Sequence, residues 1–135
     1  MRMLRKAMLG IAAVAVLAGA KPAPRDVPVR MGGSPDMDAC PSNAHVTGLN
    51  PRGDNFLSVR SRPAVTGREL DRLPGDYAVW ACDETHDGEW TGIVYSRRGQ
   101  HVDCGVGTPM ARRQAYAGPC ATGWVASRYL TIVAG

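Results

Sequence analysis

Past residue 20 the apolar residues come only in short bursts, each closed by a glycine, a proline or a turn dipeptide. This punctuation limits the fold more than any other feature. Short, strand-sized runs bounded by breakers read as β-strands joined by turns. With 16 Gly and 10 Pro in 135 residues, the composition disfavours a helix bundle. The length suits one domain, and no apolar stretch within the body approaches the ~18 residues of a spanning helix.

The N-terminus follows a different pattern. Residues 1–6 are basic, with Arg2, Arg5 and Lys6; residues 7–17 are apolar, broken only by Gly10. Ala18-Gly19-Ala20 then places small residues at both positions that a signal peptidase reads. The apolar run is too short to span a bilayer comfortably. Leu17-Ala18-Gly19 also begins a lipoprotein site, but Ala20 stands where such a site needs cysteine. The pattern predicts an export signal over residues 1–20, helical and apart from the domain, cut at Ala18 and Ala20. A soluble mature chain would begin near Lys21, in the periplasm or outside the cell. Removing the three signal cations leaves 13 basic against 12 acidic residues, too even a balance for an electrostatic nucleic-acid binder.

Residues 21–44 carry five prolines and the Gly32-Gly33 pair with no apolar periodicity, which reads as an extended, mobile leader held only if Cys40 is bonded. Residues 45–135 form the domain. Strands are expected near 45–47, 56–60, 68–73, 77–82, 90–95, 124–125 and 130–133, with Asp87-Gly88 as a turn. Residues 96–122, rich in Gly, Arg and Pro, read as a long insertion. Short strands packed this closely imply a small barrel or open sandwich. The expected core is Leu57, Val59, Leu70, Leu73, Val79, Ile93, Val125 and Leu130 with one or more tryptophans. So thin a core calls for covalent staples.

Three pieces resemble a bacterial SH3-type domain. Leu57-Ser58-Val59-Arg60-Ser61-Arg62-Pro63 is similar to the family's opening motif, with Ser58 where the family has Asn. Leu73-Pro74-Gly75, the strand to Cys82 and Gly88-Glu89-Trp90 resemble its middle. Gly123-Trp124-Val125-Ala126-Ser127-Arg128-Tyr129-Leu130 resembles its closing motif. The resemblance implies a small SH3-like barrel of about five strands, a single tight helical turn at 126–129, and a non-catalytic targeting or adaptor role, often at the cell wall. The 96–122 insertion departs from the family pattern. A fold alone does not assign a ligand.

Export sends an even set of four cysteines to an oxidising compartment, where they pair. Of three possible pairings, Cys104–Cys120 with Cys40–Cys82 is favoured: one bond closes the insertion, the other pins the leader. A zinc reading uses Cys82-x3-His86 and His101-x2-Cys104, and a nucleophile reading takes Cys104 with His101 as base. Each needs a free thiolate that export disfavours. No hydrolase elbow, zinc helix or phosphate loop is present, so neither an enzyme nor a cofactor is expected. Arg52-Gly53-Asp54 is read as a turn.

The aromatics are the stronger binding signal. On the 77–82 strand, Tyr77, Val79 and Ala81 share one face and Trp80 and Cys82 the other. If Val79 points inward, Trp80 is either an exposed platform for sugar or proline or is covered by the insertion. Trp80, Trp90 and Tyr95 are therefore the candidate ligand-stacking residues. Arg112 and Arg113 are the candidate anion-recognising pair. The expected partner is wall peptide, glycan or an envelope protein.

Overall fold

The computed structural model describes residues 10–15, 19, 22 and 24–135. Residues 1–9, Ala18 and Ala20 lie outside them, so the cleavage site does too. Residues 10–15 are exposed and carry no regular secondary structure, where the export signal is expected to be helical. Among the described residues no helix is long and apolar enough to cross a membrane.

The fold is all-β. Its strands are β1 (Arg30–Met31), β2 (Ser34–Asp38), β3 (Ser42–Val46), β4 (Leu57–Arg60), β5 (Glu69–Leu73), β6 (Ala78–Glu84), β7 (Trp90–Tyr95), β8 (Pro109–Met110), β9 (Gln114–Ala115), β10 (Ala121–Ala126) and β11 (Leu130–Ala134). A 3₁₀ turn, Ser127–Tyr129, joins the last two. The principal sheet has seven strands, ordered β11-β3-β6-β7-β10-β4-β5, and replaces the expected five-stranded barrel. Each of its seven strands overlaps a segment expected to be a strand. The sheet is wider because β3, which begins in the last leader residues and runs into the strand expected at 45–47, pairs with β6 and in turn carries β11.

One face of this sheet closes on a core of Ala44, Val46, Leu57, Val59, Leu73, Val79, Ile93, Tyr95, Ala121 and Val125. Leu130 packs at its margin. Leu70 does not join it and is 43% exposed. Side chains three apart on a strand point to opposite faces, so Leu73 and Leu70 could not both point inward. Asp71 instead takes the inward position and accepts a 2.8 Å hydrogen bond from the Tyr95 hydroxyl. Tyr95 lies on β7, three strand spacings or about 14 Å from β5 in a flat sheet. Side chains stand nearly perpendicular to a sheet, so the two meet because the sheet curls. Arg98 reinforces the curl by donating to the Arg72 carbonyl at 2.8 Å.

Burial, then the hydrogen bond to Asp71, hold the Tyr95 hydroxyl well above the ordinary tyrosine range. The unfolded chain therefore releases this proton first. The contribution to stability is full below the unfolded value of about 10 and declines as pH rises toward the folded value. Tyr95→Phe should flatten the alkaline fall in urea midpoint between about pH 9 and about pH 11; an unchanged slope would contradict this account.

The other face of the sheet is covered as well. Short ribbons β1–β9 and β2–β8 join the leader to the insertion, and Ala39 and Cys40 donate to Thr108 and Val106 carbonyls. Beneath them lies a second cluster of Met31, Ala39, Cys40, Val94, Cys104 and Val106. The disulfides Cys40–Cys82 and Cys104–Cys120 run through it. The segment read as a mobile leader is thus a working part of the fold: it supplies β1, β2 and the start of β3. Val29 sits over Gly92, where an added Cβ would lie 3.0 Å from its methyl group. Trp124 is buried beside it, and its indole N–H donates to the Val27 carbonyl at 2.8 Å.

Candidate functional site

The structure does not bring the five sequence-nominated residues together. Tyr95 is a core residue, 2% exposed, with its hydroxyl bound to Asp71; it cannot serve as a surface platform. Its place follows from alternation with Ile93, which shares the inward face. Trp80 is half-buried and packs against the second cluster. The insertion and leader cover Trp80 only in part, and it also lines a cleft of about 300 Å³. Trp90 is half-buried at the start of β7. It lies four residues from Val94, the β7 partner of Trp80, or about 13 Å along the strand.

The arginines also diverge. Arg113 donates to Asp83 at 2.5 Å, and that carboxylate, 7% exposed, also accepts the Arg30 backbone N–H at 3.0 Å. Asp83 therefore ties the leader and the insertion to β6, and Arg113 is engaged in that tie. Arg112 is exposed. All four cysteines are in disulfides, which removes the thiolates that the zinc and nucleophile readings require.

A different set of residues forms a groove of about 390 Å³. The 48–56 loop builds one wall, β4 the floor and the 3₁₀ turn the opposite wall. Its lining includes Leu49, Phe56, Val65, Tyr129, Arg60 and Arg128. The local sequence explains the shape. Alternation turns Leu57 and Val59 into the core and leaves Ser58 and Arg60 on the groove side. The Arg52 and Gly53 N–H groups both turn back to Asn50, one to its side chain and one to its carbonyl, making the turn expected at Arg52-Gly53-Asp54. Thr47 donates to the Tyr129 carbonyl at 2.9 Å, which docks the 3₁₀ turn against the loop.

Both aromatic rings of the groove carry a guanidinium. Arg72 stands 4.2 Å from the centre of Phe56, and Arg128 stands 4.7 Å from the centre of Tyr129. Arg72 also donates through Nε to Glu69 at 2.7 Å, whereas the stacking orients Arg128 without spending its hydrogen-bonding edge. Arg60 donates to the Gly67 carbonyl, while Arg128 is exposed. Val65, 75% exposed, forms an apolar lip, and Asp54 places a carboxylate on the same lining. The groove therefore combines aromatic and aliphatic surface with one available cation and one carboxylate. This set can bind and orient a ligand.

Sequence reasoning did not nominate Phe56, Val65, Arg128 or Tyr129 as ligand-binding residues. A signal was available. Phe56 is the chain's only phenylalanine, and it precedes the inward Leu57, so alternation sets it on the opposite face. No protein-family model, curated protein or solved structure matches this chain.

Proposed function

We propose that this chain is an exported, non-catalytic SH3-type binding module of the bacterial envelope, gripping cell-wall peptide in the groove between the 48–56 loop and the 3₁₀ turn. The observation that carries the reading is the ring-stacked, exposed Arg128 sharing one groove lining with Asp54. A wall peptide presents free carboxylates, an amine and short aliphatic side chains. Arg128 would meet a carboxylate, Asp54 an amine, and Leu49, Val65 and the two rings the aliphatic groups. The three motif pieces that resemble the SH3-type family support the same reading, because the closing piece supplies Arg128 and Tyr129. Two disulfides suit an oxidising compartment and support export to the periplasm or beyond.

The test is cosedimentation with purified cell-wall sacculi, beside affinity capture from an envelope extract. Enrichment on sacculi supports wall binding. Capture of one stoichiometric protein with no binding to sacculi would replace this reading with that of an envelope enzyme inhibitor or assembly factor acting through the 96–122 insertion.

A further inference from the structure

A second cleft, of about 300 Å³, opens on the face of the sheet away from the main core. Trp80 is part of its lining. In register, Trp80 stands directly between Asn43 on β3 and Val94 on β7. Val94 is buried under the insertion, whereas the Asn43 side of Trp80 lines the cleft with Asn43 itself. Ser96 just past β7 and Val102, Asp103 and Cys104 of the insertion also line it, with Ala78, Val79 and Tyr95 of β6 and β7. Trp80 is thus pinned on one side by the disulfide-bonded layer and faces open space on the other.

The chemistry of this lining is specific. It offers an indole, a carboxamide, a hydroxyl and a carboxylate, with no lysine or arginine. The Ser96 hydroxyl donates to the Gln100 carbonyl, leaving its oxygen to accept. Asp103 accepts the Gly105 N–H at 2.8 Å through one oxygen, which holds the carboxylate and leaves the other free. An indole gives a flat apolar seat, and carboxamide and carboxylate groups together both donate to and accept from hydroxyls. A volume near the lower end of small-molecule clefts fits one ring-sized ligand unit. An anion would meet Asp103 with no compensating cation.

We infer that the Trp80 cleft is a separate binding site for a neutral sugar ring, seated on the indole and hydrogen-bonded by Asn43 and Asp103. It uses none of the residues of the aromatic groove and does not depend on that groove's assignment. The experiment titrates the full exported chain with an uncharged N-acetylhexosamine trisaccharide and follows the three indole N–H resonances by NMR. The Trp80 resonance should shift and saturate in the millimolar range, while those of Trp90 and Trp124 stay in place. Asn43→Ala and Asp103→Ala should each weaken binding by about tenfold, the expected loss for one well-placed hydrogen bond. Arg128→Glu should bind the sugar as the parent does, which separates this site from the groove. A hexuronic-acid oligosaccharide should give no saturable shift. A Trp80 resonance that does not move with the neutral sugar, or one that saturates equally in both cleft variants, would overturn the inference.

Discussion

Replacing Cys40 and Cys82 together should lower stability by about 4 kcal/mol, more than any other change short of emptying the core. The bond spans 42 residues, and closing a loop of that length removes about 4 kcal/mol of chain entropy from the unfolded state. Cys104–Cys120 spans 16 residues and is worth about 3 kcal/mol on the same basis. The difference is sharpened by position. Cys40 is fully buried at the meeting point of leader, insertion and β6, whereas Cys104 lies nearer the rim. A domain of this size has ~5–15 kcal/mol in all. Urea midpoints of the two Cys→Ala pairs read the ranking directly. If the Cys104–Cys120 pair proves the more destabilising, the leader is not the element that the long bond secures.

Trp124→Ala should cost ~3–5 kcal/mol, the range for truncating a buried aromatic. Trp124 is 3% exposed on the leader-covered face of β10, so truncation opens a cavity and also removes the donor to the Val27 carbonyl. That carbonyl belongs to the segment whose Val27 N–H donates to Ser61 and whose Val29 covers Gly92. Loss of the indole should therefore loosen the leader before the sheet. Trp124→Phe keeps most of the packing and isolates the hydrogen bond, at ~1 kcal/mol. Trp90→Ala should cost less than Trp124→Ala, because Trp90 is only half-buried. Thermal melts of the three variants check the order, and a Trp90 variant less stable than the Trp124 variant would invert the assignment of core and surface.

The parts of the fold that were legible are those where one strand carries its own signal. β4, β6 and β7 alternate or run apolar, and each lies where its pattern places it. The leader strands carry no such signal. β2 reads Ser-Pro-Asp-Met-Asp and is almost wholly exposed, so nothing in its side chains announces a strand. It is held by pairing with β8, some 70 residues on, and by the adjoining Cys40. Long-range backbone pairing of this kind leaves no local periodicity. Cys40 was the one hint, and its bond to Cys82 shows what the hint meant.

Trp80 was ambiguous for a related reason. Alternation assigns residues to two faces but does not say that both faces are covered. Here the insertion and leader cover the second face, and Trp80 became a half-buried boundary residue. Leu70 shows the opposite failure, since an apolar residue was placed in the core although the strand period set against it. The groove was only partly legible. Its 3₁₀ wall lies within the motif piece that resembles the SH3-type family, but Phe56 and the 48–56 loop come to line the same groove only in the folded sheet.

Cosedimentation with sacculi, repeated with variants at the groove and the insertion, tests the central claim most directly. Arg128 is exposed and its guanidinium stacks on the Tyr129 ring, so Arg128→Glu should leave the melting temperature nearly unchanged. The account predicts that the parent chain binds sacculi, that Arg128→Glu loses at least about tenfold in affinity, and that Arg112→Glu on the insertion binds as the parent does. Undiminished binding by Arg128→Glu, with loss in Arg112→Glu, would contradict it and move the binding surface from the aromatic groove to the insertion.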